Sequence, residues 1–450
     1  MTRLRGSPGF RAAAQPTELQ SVAVLVDLEL AGHAGGHVKC WQRIAEAAGP
    51  FDRQIDLTVY FLGERESTVD VGANARYVTL PPCFGTRRFG FLAQGAGHTD
   101  LAPFHPRLAR LLCRHDTFHA TDVFAFAQTA RRVARWQGKP FVTSLHTDLP
   151  QFTEIYTAEI VQRQFGTGPI ARAILEGVRL GARSAAAMRR KVDAMMHHSD
   201  RVMVSNAKDW RRASRIVGGS HVSYLRRGID SGRFHPDRRD RARLAARFGI
   251  PEDCTVLLFV GRIDATKKAL FAAEAVRALI DRGHRLRFLA FGDGAERQAI
   301  ARLLGPNVIA PGPVSQEELG WIYPSADLFV FPSESETAGN VVLEAKSSGL
   351  PVVVANHPGP AQFVRRSGED GIIVPTPDIA AWRESLERLV ADEPLRCGIG
   401  VNARQSIETS GATWRDVVGD DLLPVWRTVG PRRAVDGRIR PAPSLQWPAE

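Results

Sequence analysis

Two glutamates eight residues apart are the residues whose spacing most strongly indicates chemistry. Glu336 and Glu344 belong to the segment PSESETAGNVVLEA, whose apolar runs predict a buried strand before Glu336 and a helix around Glu344. The start of that helix leaves backbone N–H groups free to attract an anion, and carboxylates beside them can accept hydrogen bonds from sugar hydroxyls. The segment therefore predicts a nucleotide-sugar site formed by Glu336, Thr337, Gly339, Asn340, Val341 and Glu344.

Two basic residues follow an earlier strand in the same half of the chain. Arg262 comes directly after the apolar run VLLFVG, and Lys267 stands five residues later, where a helix begins. An arginine supplies a fork of donors and a lysine a point charge, so the two can converge on one diphosphate. The next strand ends in FGDG, where Gly292 and Gly294 let the backbone approach a base or a phosphate. The alternative interpretations are solvated charges and a simple turn.

The first half of the chain offers a glycine pair and a histidine at strand ends. Gly35 and Gly36 follow the first strand in GHAGGH, before a helix whose N-terminus favours anions. His146 ends the run FVTSLH, and this position indicates a functional rather than a purely structural histidine. The glycine loop is not G-x-G-x-x-G, and no acidic residue ends the second strand to hold a ribose. A nicotinamide-dependent dehydrogenase is therefore excluded.

Strands that alternate with helices must position these residues. The chain shows six strand-like runs in each half, which predict βαβ units and parallel sheets: an α/β fold of two Rossmann-like domains in tandem. In such sheets ligands bind beyond the carboxyl ends of the strands, where the candidate residues lie. The predicted organisation is a disordered stretch at 1–18, an N-terminal acceptor-side domain at 19–226, a linker at 227–245, a nucleotide-sugar-binding domain at 246–408, a final helix at 409–429 and a disordered tail at 430–450.

The chain of 450 residues is globular in composition and strongly basic. Its 59 Lys and Arg exceed its 48 Asp and Glu by 11, and residues 161–250 alone hold 20 basic against 7 acidic side chains. The excess therefore belongs to one region, which indicates an acidic partner. Within it, 171–197 predicts a basic amphipathic helix, so 161–200 is interpreted either as a solvated helix face or as a surface for an anionic membrane. The region has no nucleic-acid reading motif, so no nucleic acid is expected.

The cysteines and the apolar runs indicate where the protein acts. The five cysteines are widely spaced and include no C-x-x-C pair, which argues against a zinc ribbon and a disulfide scaffold and fits a reducing compartment. No apolar stretch has the length of a signal-peptide core or of a membrane span. We expect a cytoplasmic protein that is peripheral on the inner face of the membrane if 161–200 binds lipid.

Several motifs together resemble those of retaining GT-B glycosyltransferases of family 4, the group 1 type. The E-x7-E signature of that family is matched by SESETAGNVVLEAKSSGLPVVVAN, its G-R-x-x-x-x-K phosphate clamp by VGRIDATKKAL and its Gly-Gly loop by AGHAGGHV. The segment SLHTDLPQFTEIYT is similar to the histidine loop of sulfoquinovosyl- and mannosyltransferases that act on lipid acceptors. The motifs follow the family's order over about residues 21–429.

The resemblance implies a role for each matched residue. Arg262 and Lys267 would neutralise the diphosphate of a UDP- or GDP-sugar. Glu336 would contact the transferred sugar, with His146 close to it on the other side, and Glu344 would bind the ribose. The amides at the start of the signature helix would meet phosphate or sugar, and the glycine pair of the first domain would let the donor approach. No metal or other cofactor is expected, because these groups can stabilise the leaving diphosphate without one.

The chain departs from the family pattern at two positions. Thr266 stands where an acid usually precedes the clamp lysine, and Ala338 replaces the usual aromatic residue after E-T. The first change leaves the basic clamp intact, whereas the second alters the shape of the sugar pocket. The family also folds its last helix back onto the first domain, which predicts that position for 409–429. The acceptor favoured by the basic segment and the histidine loop is a lipid or a lipid-linked glycan, with a soluble acceptor as the alternative.

Two other functions stay open at this point. A nucleotide-sugar epimerase on the same architecture would use the donor site without an acceptor. A nucleic-acid-binding protein would account for the charge, and it predicts tight, salt-sensitive binding centred on 161–250.

Overall fold

The computed structural model describes residues 19–30, 35–88, 99–251 and 253–430. The disorder expected at 1–18 and over 431–450 falls outside these residues, as does the start of the glycine-rich loop, 31–34. The described chain forms two α/β units, each built on one largely parallel sheet.

Among the described residues, the first sheet has eight strands in the order β3-β4-β2-β1-β5-β6-β7-β8. They are β1 (Gln20–Glu29), β2 (Ile55–Leu62), β3 (Ser67–Gly72), β4 (Ala75–Leu80), β5 (Thr117–Ala120), β6 (Phe141–Ser144), β7 (Arg201–Val204) and β8 (Val222–Tyr224). All neighbours are parallel except β3, which pairs antiparallel with β4 at the edge. The sequence does not predict β3 and β8, because β3 is polar and largely exposed and β8 has only three residues.

The second sheet is parallel throughout, and its described strands follow the order β11-β10-β9-β12-β13-β14. They are β9 (Thr255–Val260), β10 (Leu286–Phe291), β11 (Val308–Gly312), β12 (Leu328–Phe331), β13 (Val352–Ala355) and β14 (Ile372–Val374). Most are nearly continuous runs of Val, Leu, Ile and Phe, as expected where both faces of a parallel sheet are covered. The two predicted α/β units are therefore confirmed.

Helices connect the strands and pack against the sheets. They are α1 (Gly36–Glu46), α2 (Pro106–Leu112), α3 (Ala125–Gln137), α4 (Leu149–Phe165), α5 (Pro169–Arg172), α6 (Leu180–His197), α7 (Ala207–Val217), α8 (Arg241–Phe248), α9 (Ala269–Ile280), α10 (Arg297–Leu304), α11 (Gln316–Ser325), α12 (Asn340–Ser347), α13 (Pro358–Ala361), α14 (Ile379–Ala391), α15 (Glu393–Ser410), α16 (Trp414–Asp416) and α17 (Leu423–Thr428). Two π-helical segments, Ala173–Gly177 and Val417–Leu422, follow α5 and α16.

The last helical segment crosses back to the first unit, as the family resemblance implies. Its apolar side chains join one cluster with α1, β1 and β2 that contains Trp41 and Trp426. The indole N–H of Trp426 donates to His119 Nδ1 at 3.0 Å, and the carbonyl oxygen of Trp426 accepts from Gln20 Nε2 at 2.6 Å. The end of the described chain is thus fastened to the strand near its start.

The basic segment differs from its prediction. The helix expected over 171–197 is not continuous, because Ala173–Gly177 is π-helical and Arg179 has a φ of 54°, after which α6 begins. The result is an arm in which α4 and α6 pack side by side and α5 forms the tip. No helix in the described ranges is long and apolar enough to cross a membrane.

The linker predicted at 227–245 is helical in its last part. Asp240 caps α8 by accepting a hydrogen bond from the Arg243 N–H at 2.9 Å, and Leu244 is fully buried in the core of the second unit. The many arginines of this stretch suggest a solvated linker, but the cap and one apolar residue suffice to start a helix there.

The carboxyl ends of both sheets face one cleft with a volume of about 830 Å³. The strand order reverses at this edge, between β1 and β5 in the first sheet and between β9 and β12 in the second. Loops at such reversals are where open α/β sheets bind ligands. The topology therefore places the loops that follow β1, β5, β6, β9, β10 and β12 around one cleft.

Candidate active site

Most of the residues predicted from the sequence meet in this cleft. It is lined by Gly35, Gly36, His146, Arg262, Lys267, Gly292, Glu336, Thr337, Gly339, Asn340, Val341 and Glu344. They come from both units, so the site is completed only when the two sheets face each other. The exception among the predicted residues is Gly294, which does not line the cleft.

The two glycines of the FGDG turn act through backbone packing. A Cβ at Gly292 would lie 1.9 Å from the carbonyl oxygen of Gly261, and one at Gly294 would lie 2.4 Å from that of Ile263. The turn after β10 therefore packs directly against the loop after β9, which carries Arg262 and Lys267. Gly294 supports that loop from behind, in place of the donor contact that the sequence suggests.

Lys267 and Glu336 form an ion pair across the site. Lys267 Nζ lies 2.5 Å from Glu336 Oε1, and both side chains are largely buried. Lys267 comes from the loop before α9 and Glu336 from the loop after β12, so the pair joins the clamp segment to the signature segment. The next lysine, Lys268, pairs with Glu334 and does not line the cleft.

The guanidinium of Arg262 is held by three neighbours. It donates to Thr266 Oγ1 at 2.7 Å, lies 3.4 Å from Asp264 Oδ2 and covers the ring of Phe152 at 5.2 Å. Thr266 in turn donates to Asp264 Oδ1 at 2.5 Å. Threonine at the position where the family usually has an acid is therefore compensated, because Asp264 supplies the carboxylate two residues earlier. Phe152 belongs to α4, so the contact spans the cleft.

The loop before α12 is shaped by glycines and ends in an uncapped helix. Gly339 has a φ of 84°, which favours glycine, and no side chain caps the helix that follows. A Cβ at Gly359 would lie 2.1 Å from the carbonyl oxygen of Glu336, so this glycine fixes how the signature loop runs. The side-chain oxygen of Asn340 is buried and has no hydrogen-bond partner within the described residues. The loop thus presents donors and an unused polar group beside Glu336.

Glu344 occupies a desolvated position in the second turn of α12. Burial raises the pKa of its carboxyl group to about 7, although Tyr323 donates to its Oε2 at 3.0 Å and the charge of Lys39 lowers the pKa. Lys39 belongs to α1 of the first unit, so this carboxylate and a lysine face each other across the cleft. A ligand hydroxyl that donates a hydrogen bond to a carboxylate in such a place stabilises its ionised form.

His146 lies two residues past the end of β6 and is a neutral imidazole. Burial lowers its pKa well below the usual value, and nearby His37 and Arg227 lower it further. Its ring stacks on that of His37 with centroids 4.5 Å apart. Its Nε2 accepts from Trp41 Nε1 at 3.3 Å and lies 2.8 Å from Ser144 Oγ. The ring is therefore fixed in orientation at the mouth of the first sheet.

Two contacts connect loops of the first unit to the signature loop. Thr337 Oγ1 donates to the carbonyl oxygen of His146 at 2.7 Å, and Asn206 Nδ2 donates to the carbonyl oxygen of Thr337 at 2.9 Å. The sequence predicts a role for the backbone of Thr337, and the structure shows that its side chain also forms a hydrogen bond between the two units.

Several residues at the site escape sequence reasoning. Lys39, Asn206 and Gly359 belong to no sequence motif, and Arg227 lies in LRRGIDSGRFHPD, which resembles the segment that joins the two domains in the family and suggests no ligand contact. Asn206 follows the strand-like run RVMVS, so its strand-end position is a signal that could have been used. The other three become significant only through partners that lie far away in the sequence.

A cluster outside the cleft has the composition of a metal site but not its chemistry. Cys83, Asp100 and His105 lie close enough to share an ion. His105 Nδ1, however, accepts from the Leu108 N–H at 3.1 Å, and its Nε2 lies 3.0 Å from the carbonyl oxygen of Pro81. Both oxygens of Asp100 accept backbone N–H groups. The cluster therefore ties a loop together, and the expectation of a metal-free reaction stays a prediction.

Comparisons of sequence identify the relatives of this chain. The family described as "Glycosyl transferases group 1" matches residues 240–406. D-inositol 3-phosphate glycosyltransferase 1 of Catenulispora acidiphila is 30% identical over 352 residues, which are 74% of this chain and 77% of that protein. The sulfoquinovosyl transferase SQD2 of Arabidopsis thaliana is 29% identical over 319 residues, covering 69% of this chain and 56% of SQD2.

Comparisons of structure identify the fold. Sucrose-phosphate synthase from Thermosynechococcus elongatus aligns with a TM-score of 0.63 and 19% identity, over 88% of this chain and 96% of that one. HepE from Anabaena, solved with UDP and glucose, aligns with a TM-score of 0.61 and 17% identity, over 89% and 98%. At these identities the likeness shows the two-domain GT-B fold alone. Together with the sequence relatives, it shows that this chain is a transferase that belongs to the group 1 glycosyltransferases.

Proposed function

We propose that the protein transfers a sugar from a UDP- or GDP-linked donor to a hydroxyl of an acceptor, with retention at the anomeric carbon. The observation that carries the proposal is the convergence of Arg262, Lys267, Glu336 and Glu344 with the uncapped start of α12 in one cleft. Cations and helix amides suit a diphosphate, and carboxylates suit the hydroxyls of ribose and sugar. The solved relative HepE binds UDP, which supports the same donor class here.

The leaving group defines the main catalytic task. A departing nucleoside diphosphate gains negative charge, which Arg262, Lys267 and the α12 amides would stabilise. Lys267 is paired with Glu336, and a donor diphosphate that binds the lysine would leave Glu336 to the sugar hydroxyls. We propose that these groups suffice without a metal ion.

The neutral state of His146 fits a positioning role beside the sugar. A neutral imidazole can donate or accept one hydrogen bond without placing a charge next to an electron-poor anomeric centre. Because no side chain is an evident nucleophile, the proposed mechanism is attack on the front face, in which the departing phosphate takes the acceptor's proton.

The acceptor proposed is a lipid or a lipid-linked glycan at an anionic membrane surface. At the tip of the α4–α6 arm, Phe165, Ile170 and Val178 are 53%, 63% and 45% exposed. Exposed arginines lie near them in the sequence: Arg163, Arg172, Arg179 and Arg183. Apolar side chains fringed by cations match the boundary between acyl chains and anionic headgroups. This tip supports the proposal that residues 161–200 meet an anionic membrane.

A thermal-shift screen tests the donor assignment. Ligands that bind the native state raise the melting temperature, so UDP, GDP, ADP and their sugars are compared on the wild-type protein. We expect one nucleotide and its sugars to raise Tm, and Lys267→Ala to reduce that rise strongly. Lys268→Gln is the matched control, because Lys268 lies outside the cleft and is expected to respond like wild type. No Tm rise with any nucleotide would contradict the proposal.

The epimerase alternative is distinguished in the same preparation. An epimerase changes the sugar of the bound nucleotide without an acceptor, whereas a transferase needs the acceptor to form product. We expect the nucleotide sugar to stay unchanged when it is incubated with the protein alone.

A further inference from the structure

One arginine in the cleft is buried without a counter-ion. Arg227 is only 7% exposed and lines the cleft where the chain passes from the first unit to the second. Its guanidinium nitrogens lie 3.2 Å from Cys40 Sγ and 3.3 Å from His146 Nδ1. Within the described ranges, no carboxylate forms an ion pair with it.

The contact with His146 does not offset the charge of Arg227. Trp41 Nε1 and the guanidinium can both only donate, and each lies 3.3 Å from a different nitrogen of the neutral His146 ring, which can accept at one nitrogen only. The ring therefore offers a single uncharged acceptor to two donors. The thiol of Cys40 is the remaining partner, and sulfur is a weak acceptor.

Two other buried cations among the described residues have oxygen acceptors, which Arg227 lacks. The fully buried Lys346 lies 2.6 Å from Asp370 Oδ2, and Arg201, which is 6% exposed, donates to the carbonyl oxygen of Ser220 at 2.9 Å. Removing a charge from water is costly unless a partner of opposite sign offsets the cost. A guanidinium that borders the cleft and has no such partner is therefore suited to receive one from a ligand.

The surroundings of Arg227 also offer donors to an anion. His37 stacks on His146, and its Nε2 is buried without a hydrogen-bond partner. Burial and the charge of Arg227 lower the pKa of His37 to about 3, so the ring stays neutral and keeps one N–H. The start of α1, next to Gly35 and Gly36, has no side-chain cap and no acidic residue in its first turn. All three features favour a negative group.

We infer that Arg227 and His37, beside the start of α1, form a subsite for a phosphate, sulfonate or carboxylate group carried by the acceptor or by the transferred sugar. The inference rests on the proposed function and concerns a charge other than the donor's diphosphate. Arg262 and Lys267 serve that diphosphate from the second unit, whereas Arg227 and His37 flank His146 at the first sheet. The subsite makes one substrate of this transferase an anion.

Inorganic phosphate probes the subsite directly. All proteins in this experiment carry Lys267→Ala, which disables the diphosphate clamp, and Tm is measured against phosphate at constant ionic strength. The compared variants are Arg227→Gln, His37→Ala and, as the matched control, Arg211→Gln on the exposed face of α7.

We expect a saturable Tm rise in the control, a smaller one with His37→Ala and none with Arg227→Gln. If Arg227→Gln does not fold, the His37 variant still decides. An undiminished rise in the variants, or none in the control, would overturn the subsite.

Two matched ligand pairs then identify the source of the charge, with the clamp intact. UDP-glucuronate is compared with UDP-glucose, and myo-inositol 3-phosphate is compared with myo-inositol in the presence of UDP. We expect the charged member of one pair to bind at least about tenfold more tightly, and Arg227→Gln to remove that preference. If Arg227→Gln weakens binding of UDP alone as much as binding of the charged ligand, Arg227 belongs to the diphosphate site. If the wild type prefers the charged member of neither pair, the assignment of the subsite to a substrate is overturned. Nucleotide binding by the wild type is measured alongside, so failure of the subsite and failure of the donor assignment give different results.

Discussion

Charged side chains in the cleft fall into two groups, those already paired and those left without a partner. Lys267 is neutralised by Glu336, and Arg262 by Asp264, within the protein itself. Arg227 and the buried carboxylate of Glu344 have no close partner of opposite charge among the described residues. A ligand that binds a paired side chain must replace its ion-pair partner, whereas a ligand that binds an unpaired side chain supplies a partner that it lacks. The unpaired groups are therefore where ligand affinity should depend most on charge.

Glu344 should give donor binding a pH dependence near neutrality. The pKa of its carboxyl group in the folded protein, about 7, lies above its unfolded value of 4.5, so ionisation destabilises the empty protein as pH rises from 4.5 through 7. Donation from a ribose hydroxyl favours the ionised form. We therefore expect the nucleotide sugar, whose diphosphate does not titrate in this range, to bind about tenfold more tightly at pH 8 than at pH 6.

Titration calorimetry at the two pH values measures this effect. Glu344→Gln should bind weakly and equally at both, because the amide does not titrate. A wild-type affinity that is the same at pH 6 and pH 8, or a pH dependence that survives in Glu344→Gln, would show that the carboxylate does not bind the donor.

The site residues that the sequence predicts are those that short stretches of sequence around them are enough to identify. Glu336, Arg262 and Lys267 sit in short motifs at strand ends, where residue type and spacing are informative. Arg227 could not be found in this way, because an arginine in a basic stretch looks solvated until the fold buries it. Gly294 is the reverse case: its position in a turn predicts a ligand contact, whereas the structure uses it for backbone packing against Ile263.

At the scale of elements, the site depends on how closely one loop packs on another. Gly292 fits against the loop after β9, and Gly359 fits against the carbonyl oxygen of Glu336. Strands and helices of the two sheets were predictable because their apolar runs are long and buried. The exposed strand β3 and the interrupted helix before α6 were not, since a polar edge and a backbone irregularity leave no apolar pattern.

Gly359→Ala should impair the signature loop without unfolding the protein. The new Cβ would meet the Glu336 carbonyl oxygen at 2.1 Å, so the loop must shift and carry the Glu336 side chain with it. A displacement of this kind typically costs about a hundredfold in turnover. Gly398→Ala is the control, because nothing lies within 4 Å of a Cβ there. Steady-state kinetics and Tm are measured for both, and wild-type turnover by Gly359→Ala would refute this role of the loop.

At the scale of the whole molecule, the two units are joined at the site itself. The histidine loop, Asn206 and the signature loop share hydrogen bonds, and the final helix returns to the first unit. Most of the excess positive charge lies on the arm and on the segment between the units, and part of that segment, including Arg227, lines the cleft.

Liposome co-sedimentation tests the arm as a membrane surface. We expect wild type to bind vesicles with anionic lipid and not neutral ones, because apolar contacts and charge attraction are both needed. Ile170→Ser with Arg172→Glu and Arg183→Glu should abolish binding. Arg302→Glu with Arg388→Glu, on exposed helices of the second unit, removes similar charge and should leave binding intact. Equal binding to both vesicle types, or none, would count against a membrane role.

The most direct test of the account is transfer itself. With the nucleotide sugar found in the screen and a lipid-extract acceptor, labelled sugar should pass to the acceptor, and NMR of the product should show a retained anomeric configuration. Lys267→Ala and Glu336→Ala should each lower the rate by about a hundredfold or more, because each removes a charge that the transition state requires, while Lys268→Gln stays close to wild type. Transfer at the wild-type rate by either alanine variant, with its fold intact, would contradict the central claim.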